Sequence, residues 1–219
     1  MLYRLLVTHL KDDGIAVLYS YPSVFAHKLA DGAPFGGYED AHVATHRMVR
    51  DRGLQFSYVT DRMLRQREAA LARFKLLLLP LAFAVDPAEA DAVRAFVRDG
   101  GTVIADVRPG LYDGHCKPFE QGILDDIFGI TRTERRDAVP VDRLSVAGAF
   151  NGRDLRMRWG NWHGKEILPA MKVDPTVAVT TGKALGEAFH IHYWTGLASP
   201  LCIVNEYGKG RAVLLNFSI

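Results

Sequence analysis

The sequence predicts an α/β fold, a doubly wound parallel sheet followed by a β-rich C-terminal elaboration. Three observations predict it. Residues 75–110 spell a complete β-α-β unit, strands alternate with helices ahead of that unit, and from about Leu124 the pattern changes to short strands.

Within the unit, Leu76 to Leu79 is a continuous apolar run of strand length, as expected of a strand buried on both faces. Asp86 can cap a helix with Pro87 at its first position and Glu89 at its third, and Val93, Phe96 and Val97 recur at the spacing of one buried stripe. Gly100 and Gly101 end that helix. Thr102 to Ala105 supplies a second strand, which a right-handed crossover lays parallel to the first. The loop after it, Asp106-Val107-Arg108-Pro109-Gly110, falls at the carboxyl edge of the sheet, where open α/β folds hold ligands and catalytic groups.

Ahead of the unit, Ile15 to Tyr19 is the first core strand, preceded by the turn residues Asp12, Asp13 and Gly14, and Ser20-Tyr21-Pro22-Ser23 reads as the first carboxyl-edge loop. Ala30 to Gly37 reads as a loop and Tyr38 to Arg52 as a helix with Ala41, Ala44 and Met48 on one face. Gln55 to Val59 is the second strand, and Asp61 to Phe74 reads as a helix leading back to the unit. Beyond it, Leu124 to Ile130 reads as a short helix closed by Gly129, and Asn151-Gly152 between Arg143–Ala149 and Asp154–Trp159 is a strong hairpin signal. Val177–Thr181, Ala188–Trp194, Leu201–Asn205 and Arg211–Phe217 continue as strands, with Gly208-Lys209-Gly210 turning between the last two. The reading is one domain over 1–219 with its elaboration at about 140–200. The chain starts inside what reads as a helix, Leu2 to Leu10, and stops on a strand, so a segment of a longer polypeptide is expected.

Composition narrows the function classes. Of 219 residues, 48% are hydrophobic and 24% charged, the balance of an ordinary globular domain with a sizeable core. A net charge of +2, with arginines scattered along the chain, gives no support for a nucleic-acid partner. No apolar run approaches the roughly 18 residues of a membrane span, so no membrane partner is expected. The two cysteines, Cys116 and Cys202, lack metal spacing, and reduced thiols, with a cytoplasmic setting favoured, are expected.

Four kinds of chemistry can be tried against the residues. A nucleophile elbow would follow Thr102–Ala105, but Asp106, Val107, Arg108 and Pro109 stand there, and none is a Cys or Ser nucleophile. Cys116 beside His115 could suggest an activated thiol, against an inert loop cysteine. His42 and His46 share one helix face and His190 and His192 one strand face, yet the glutamate of the H-E-x-x-H pattern is replaced by Val43, so hydrogen-bonded or solvated histidines are expected and no metal or cofactor. Asp106, Asp113, Asp125 and Asp126 could supply a glycosidase-type carboxylate pair, although Asp125 and Asp126 suit a helix start and Asp113 a turn. Asp106 and Arg108 could form an ion pair or, with Ser20 and Tyr21, a clamp for a sugar or other small polar ligand. Trp159, Trp162, Tyr193 and Trp194 lean as a group towards an interface or a sugar-facing surface, with core packing as the alternative.

Taken together, Ile15–Ser20, Lys75–Pro80, the helix with Gly100-Gly101-Thr102-Val103-Ile104-Ala105-Asp106, and Val204–Arg211 with its final strand resemble the trimerisation domain of family 42 β-galactosidases. The resemblance implies a flavodoxin-like sheet of the class I glutamine-amidotransferase kind, and a non-catalytic module that packs subunits into a homo-oligomer. It implies that a separate barrel domain carries the catalytic carboxylates. Amidotransferases of this fold use a Cys at the elbow with His and Glu partners, and this sequence has no Cys there, so no catalytic residue is carried over. A sugar-binding module and a stand-alone hydrolase using Cys116 or the acidic cluster remain the alternatives.

Overall fold

A computed structural model describes residues 12–29, 35–66, 71–132, 139–150, 153–160, 171–190 and 198–218; at 139–140, 142–144, 146–150, 153–160 and 190 it describes the backbone alone. The first half runs β1 (Ile15–Tyr19), α1 (Tyr21–Leu29), α2 (Tyr38–Arg50), β2 (Phe56–Thr60), α3 (Asp61–Arg65), β3 (Leu76–Leu79), α4 (Pro87–Arg98) and β4 (Thr102–Ala105). The second half adds α5 (Asp125–Phe128) and the strands β5 (Ile130–Arg132), β6 (Val139–Phe150), β7 (Arg153–Gly160), β8 (Lys172–Val173) and β9 (Val177–Val179). It closes with β10 (Lys183–Ala184), β11 (Glu187–His190), β12 (Ala198–Pro200), β13 (Cys202–Tyr207) and β14 (Gly210–Leu215).

The main sheet has the order β10-β13-β14-β4-β3-β1-β2. Its stretch β2-β1-β3-β4-β14 is parallel throughout, which is the flavodoxin-like order with β14 as the fifth strand. Strand β13 returns antiparallel beside β14, and β10 pairs antiparallel with β13. A second sheet, β12-β11-β6-β7 with β8 paired to β6, holds most of the β-rich half, and β5 pairs with β9.

Both faces of the parallel sheet are covered, which is why its strands read as unbroken apolar runs. On one face Leu18, Leu77, Leu79, Val103, Ala105 and Leu214 meet Val93, Phe96 and Val97 of α4 and Ile127 and Phe128 of α5. Phe128 is fully buried, and withdrawing such a ring from water contributes about 2–3 kcal/mol. On the other face Val17 and Leu78 pack under Val49 of α2, while Ala26 of α1 and Tyr38 and Ala41 of α2 join Leu81, Phe83 and Val107.

The β-α-β unit forms as the sequence predicts, including the capping box in which Asp86 and Glu89 bind each other's backbone N–H groups. Four expectations are corrected. Ser20–Ser23 is no loop, because Ser20 Oγ accepts the Ser23 N–H, an N-cap bond that starts α1 at Tyr21. Helix α2 ends at Arg50 and buries Tyr38, Ala41, His42, Thr45 and Val49 rather than Met48; the stripe includes polar residues because Thr45 Oγ1 donates to the Ala41 carbonyl. The helix expected from Asp61 to Phe74 stops at Arg65, and Leu71–Arg73 is a turn, while 67–70 lie outside the described residues. In the β-rich half, β6 and β7 pair with Phe150 opposite Arg153, the register that a two-residue Asn151-Gly152 connection requires; those two residues, like Leu2–Leu10, are outside the described set. Strand β9 is also shorter than expected, ending at Val179.

Candidate functional site

The chain leaves β1 towards β2 on one side and reaches β3 on the other, so the topological switch point lies at the carboxyl ends of β1 and β3. Ser20 and Ser23 sit there, both buried. Ser23 Oγ donates to the Ala84 carbonyl at 3.1 Å and accepts the Ala84 N–H at 3.1 Å, and the two hydroxyls are 2.9 Å apart. Tyr38 Oη accepts the Ser20 N–H at 2.9 Å, and burial pushes its phenol up, so it stays protonated.

Asp106 is also buried, and its Oδ1 accepts the Leu81 N–H at 2.6 Å. Leu81 has φ +41°, a left-handed conformation that costs a non-glycine residue of order 1–3 kcal/mol, so the carboxylate holds a strained turn in place. Arg108, at φ +58°, is a second left-handed residue, at the elbow itself. Its guanidinium turns to Asp174, Nε to Oδ2 at 2.9 Å and Nη2 to Oδ1 at 3.3 Å, and lies over the Phe35 ring at 5.1 Å. In place of the expected Asp106–Arg108 pairing, Asp106 accepts from the Leu81 N–H and Arg108 donates to Asp174.

Asp174 is the centre of a buried ionic group. Thr176 donates to it through N–H at 3.0 Å and hydroxyl at 2.7 Å, and Arg132 Nε lies 3.6 Å from it. Arg132 also pairs with Asp125, whose other oxygen accepts the Gly122 N–H at 3.1 Å. Burial lowers the Arg132 guanidinium to about 10, with Asp174 as its main supporting charge, and the Asp174 carboxyl is held below its ordinary range by Arg108 and Thr176 against the cost of burial. Among the described residues two arginines and two aspartates meet here, as buried charges must find counter-charges. Sequence reasoning missed Asp174 and Arg132; the only local sign is Asp174-Pro175-Thr176, a turn signature that does not reveal an arginine 66 residues away.

The other acidic candidates separate. Asp126 pairs with Arg94 at 2.9 Å, and Asp113 closes a turn by accepting the His115 and Lys117 N–H groups. Between β2 and β3, Arg65 reaches Asp61 at 2.7 Å, Asp86 at 3.1 Å and Glu89 at 3.4 Å. Glu89 is fully buried, and its carboxyl is pushed up to about 7, chiefly by burial. The Cys116 thiol is raised by burial and by Asp113, and its Sγ lies 3.6 Å from the Pro22 carbonyl, the opposite of an activated nucleophile. His42 is enclosed by Tyr19, Tyr38 and Tyr58, with burial lowering it to about 4, while His46 packs edge-on against Phe56. Among the described residues no group of His, Cys, Asp or Glu could hold a metal ion, and no helix is long and apolar enough to cross a membrane.

Of the residues expected at the sheet edge, Ser20, Asp106 and Arg108 are thus bonded into the fold, and Tyr21 alone is well exposed. Trp159 lies on β7, whose side chains are not described, and Trp162, Tyr193, Trp194 and His192 fall outside the described residues, as does the side chain of His190.

The sequence profile of the β-galactosidase trimerisation domain matches residues 13–218, nearly the whole chain. The chain belongs to that family. No curated protein matches it, but solved structures share its fold. The β-galactosidase from Bacillus circulans sp. alkalophilus superposes with a TM-score of 0.72 at 18% identity, over 94% of this chain and 28% of that one. A GH42 β-galactosidase from G. stearothermophilus gives 0.71 at 22% identity, over 99% of this chain and 29% of that one. An exo-β-1,4-mannosidase from Opitutaceae bacterium strain TAV5 gives 0.56 at 10% identity, over 94% and 31%. The trimerisation domain described here therefore spans under a third of the length of these enzymes.

Proposed function

We propose that this domain is the accessory, oligomer-forming part of a larger glycoside hydrolase acting on β-galactosides, and that it performs no bond cleavage itself. The family match over residues 13–218 carries the reading. The carboxyl edge supports it. The elbow holds Asp106-Val107-Arg108, and the Ser23 hydroxyl, the Asp106 carboxylate and the Arg108 guanidinium are engaged with Ala84, Leu81 and Asp174 respectively. An accessory domain of this kind contributes by fixing how subunits sit against one another, and three copies related by rotation need only one repeated contact between unlike patches.

Sedimentation equilibrium of the chain tests the first half of the reading, with a trimer as the expected mass. Assay of the same sample with a chromogenic β-galactoside tests the second half, with no turnover expected. A monomer that hydrolysed the glycoside unaided would overturn both.

A further inference from the structure

Helix α1 carries large apolar side chains on its outward face. Its inward positions Ser23, Ala26 and His27 are buried against the sheet. Its outward positions Tyr21, Phe25 and Leu29, at spacings of four, are 59%, 58% and 73% exposed. Lys28 is the one ionised side chain of the helix's outward face, whereas α2 presents Glu39, Asp40, Arg47 and Arg50 to solvent in the ordinary way. A helix that already buries one face and turns a second, apolar face to water is one whose outer face is covered in its working state.

The stripe continues beyond the helix. Tyr19, half-buried at the end of β1, packs its ring 5.4 Å from that of Tyr21 and 6.3 Å from that of Tyr58 on β2. Tyr58 is 49% exposed and sits on the edge strand of the parallel sheet. From these exposures, Tyr21, Phe25, Leu29 and Tyr58 leave on the order of 450 Å² of side chain in water, given roughly 200 Å² for a whole side chain of this size. That reaches the largest apolar patch of an ordinary monomer and is about half of the ~800 Å² per partner that a stable interface needs.

We infer that the face formed by Tyr21, Phe25 and Leu29 of α1, continued by Tyr58, is the surface through which the domain packs on a second copy of its own chain. The inference rests on the oligomerisation reading above and adds the place of contact. A copy of the same chain is the occupant because the family is defined by trimerisation and the patch supplies about half of one partner's share of such an interface. In a closed ring of three the stripe meets an unlike patch of its neighbour rather than itself, so each subunit buries it once. The rings are suited to the centre of the contact, since aromatic anchors in a desolvated patch carry most of the energy of such an interface.

The test compares the chain with its Phe25→Glu/Leu29→Glu variant by sedimentation equilibrium, with circular dichroism to show that the variant is folded. A trimer reduced to monomer, with the dissociation constant raised at least 100-fold, is the expected result. A wild-type trimer with an equally trimeric variant overturns the placement and leaves the oligomerisation reading intact, whereas a wild-type chain that stays monomeric overturns both. Hydroxyl-radical footprinting of the wild type above and below its dissociation concentration needs no variant to fold. Tyr21 and Phe25 are expected to be protected in the assembled sample, and labelling that does not change with concentration refutes the contact.

Discussion

Replacing Glu89 with Gln separates the cost of burying a charge from the benefit of a helix cap. The Glu89 carboxyl is fully buried in the first turn of α4; one oxygen accepts the Asp86 N–H at 3.1 Å and the other lies 3.4 Å from Arg65. Burial, with Asp86 and Asp61 nearby, outweighs Arg65 and lifts its pKa from 4.5 to about 7. A raised acid favours the native state while protonated, so its contribution is full below pH 4.5, declines as pH rises, and is lost above about 7. At 1.36 kcal/mol per pH unit, that difference sets a ceiling of about 3 kcal/mol on the destabilisation at pH 8. Glutamine keeps the acceptor for the Asp86 N–H and carries no charge. Urea unfolding followed by circular dichroism is expected to show the Gln variant up to about 3 kcal/mol more stable than wild type at pH 8 and nearly equal to it at pH 4.5. A variant less stable at pH 8 would refute the reasoning, for it would mean that the Arg65 pair exceeds the cost of burial.

The opposite slope is expected of His42, whose pKa burial lowers from 6.5 to about 4: stability from this group is full above pH 6.5 and lost as pH falls towards 4, and His42→Phe should flatten that acid limb in the same urea series. The two groups oppose each other between pH 4.5 and 6.5, so the wild type should be less pH-dependent there than either variant. Asp174→Asn leaves Arg108 and Arg132 without their shared counter-charge and is expected to cost about 3–5 kcal/mol, read as a fall in the urea midpoint. Phe128→Ala empties a fully buried site and is expected to cost about 3–5 kcal/mol in the same measurement. Gly210→Ala should abolish soluble expression, because its Cβ would be driven into the backbone carbonyls of Val97, in the last turn of α4, and of Gly101, which accepts the Arg211 N–H.

Local chemistry made the parallel core legible. The leucines at 76–79, the Asp86-Pro87-Glu89 cap and the paired glycines at 100–101 each specify one structure, and all three agree. The register of β6 on β7 was legible for the same reason, since an Asn-Gly pair admits few hairpins. Ser20–Ser23 misled because Pro22 reads as a loop residue, while one serine hydroxyl turns it into the second residue of a helix. The ionic group around Asp174 was illegible: its four members lie in separate elements, and nothing in the chain near Arg108 says which carboxylate it will meet. The face of α1 was hidden behind the same misreading, since the spacing of Tyr21, Phe25 and Leu29 means nothing until the segment is known to be helical.

The place of β14 has a consequence for synthesis. It lies between β4 and β13, so residues 210–215 sit inside the main sheet and not at its rim. A nascent chain that has emerged only as far as Pro200 presents the backbone of β4, Thr102 to Ala105, as an open flank, the kind of edge that recruits other strands. The order of translation therefore delays completion of the sheet until nearly the whole domain has left the ribosome, and chaperone protection during that interval would act on β4.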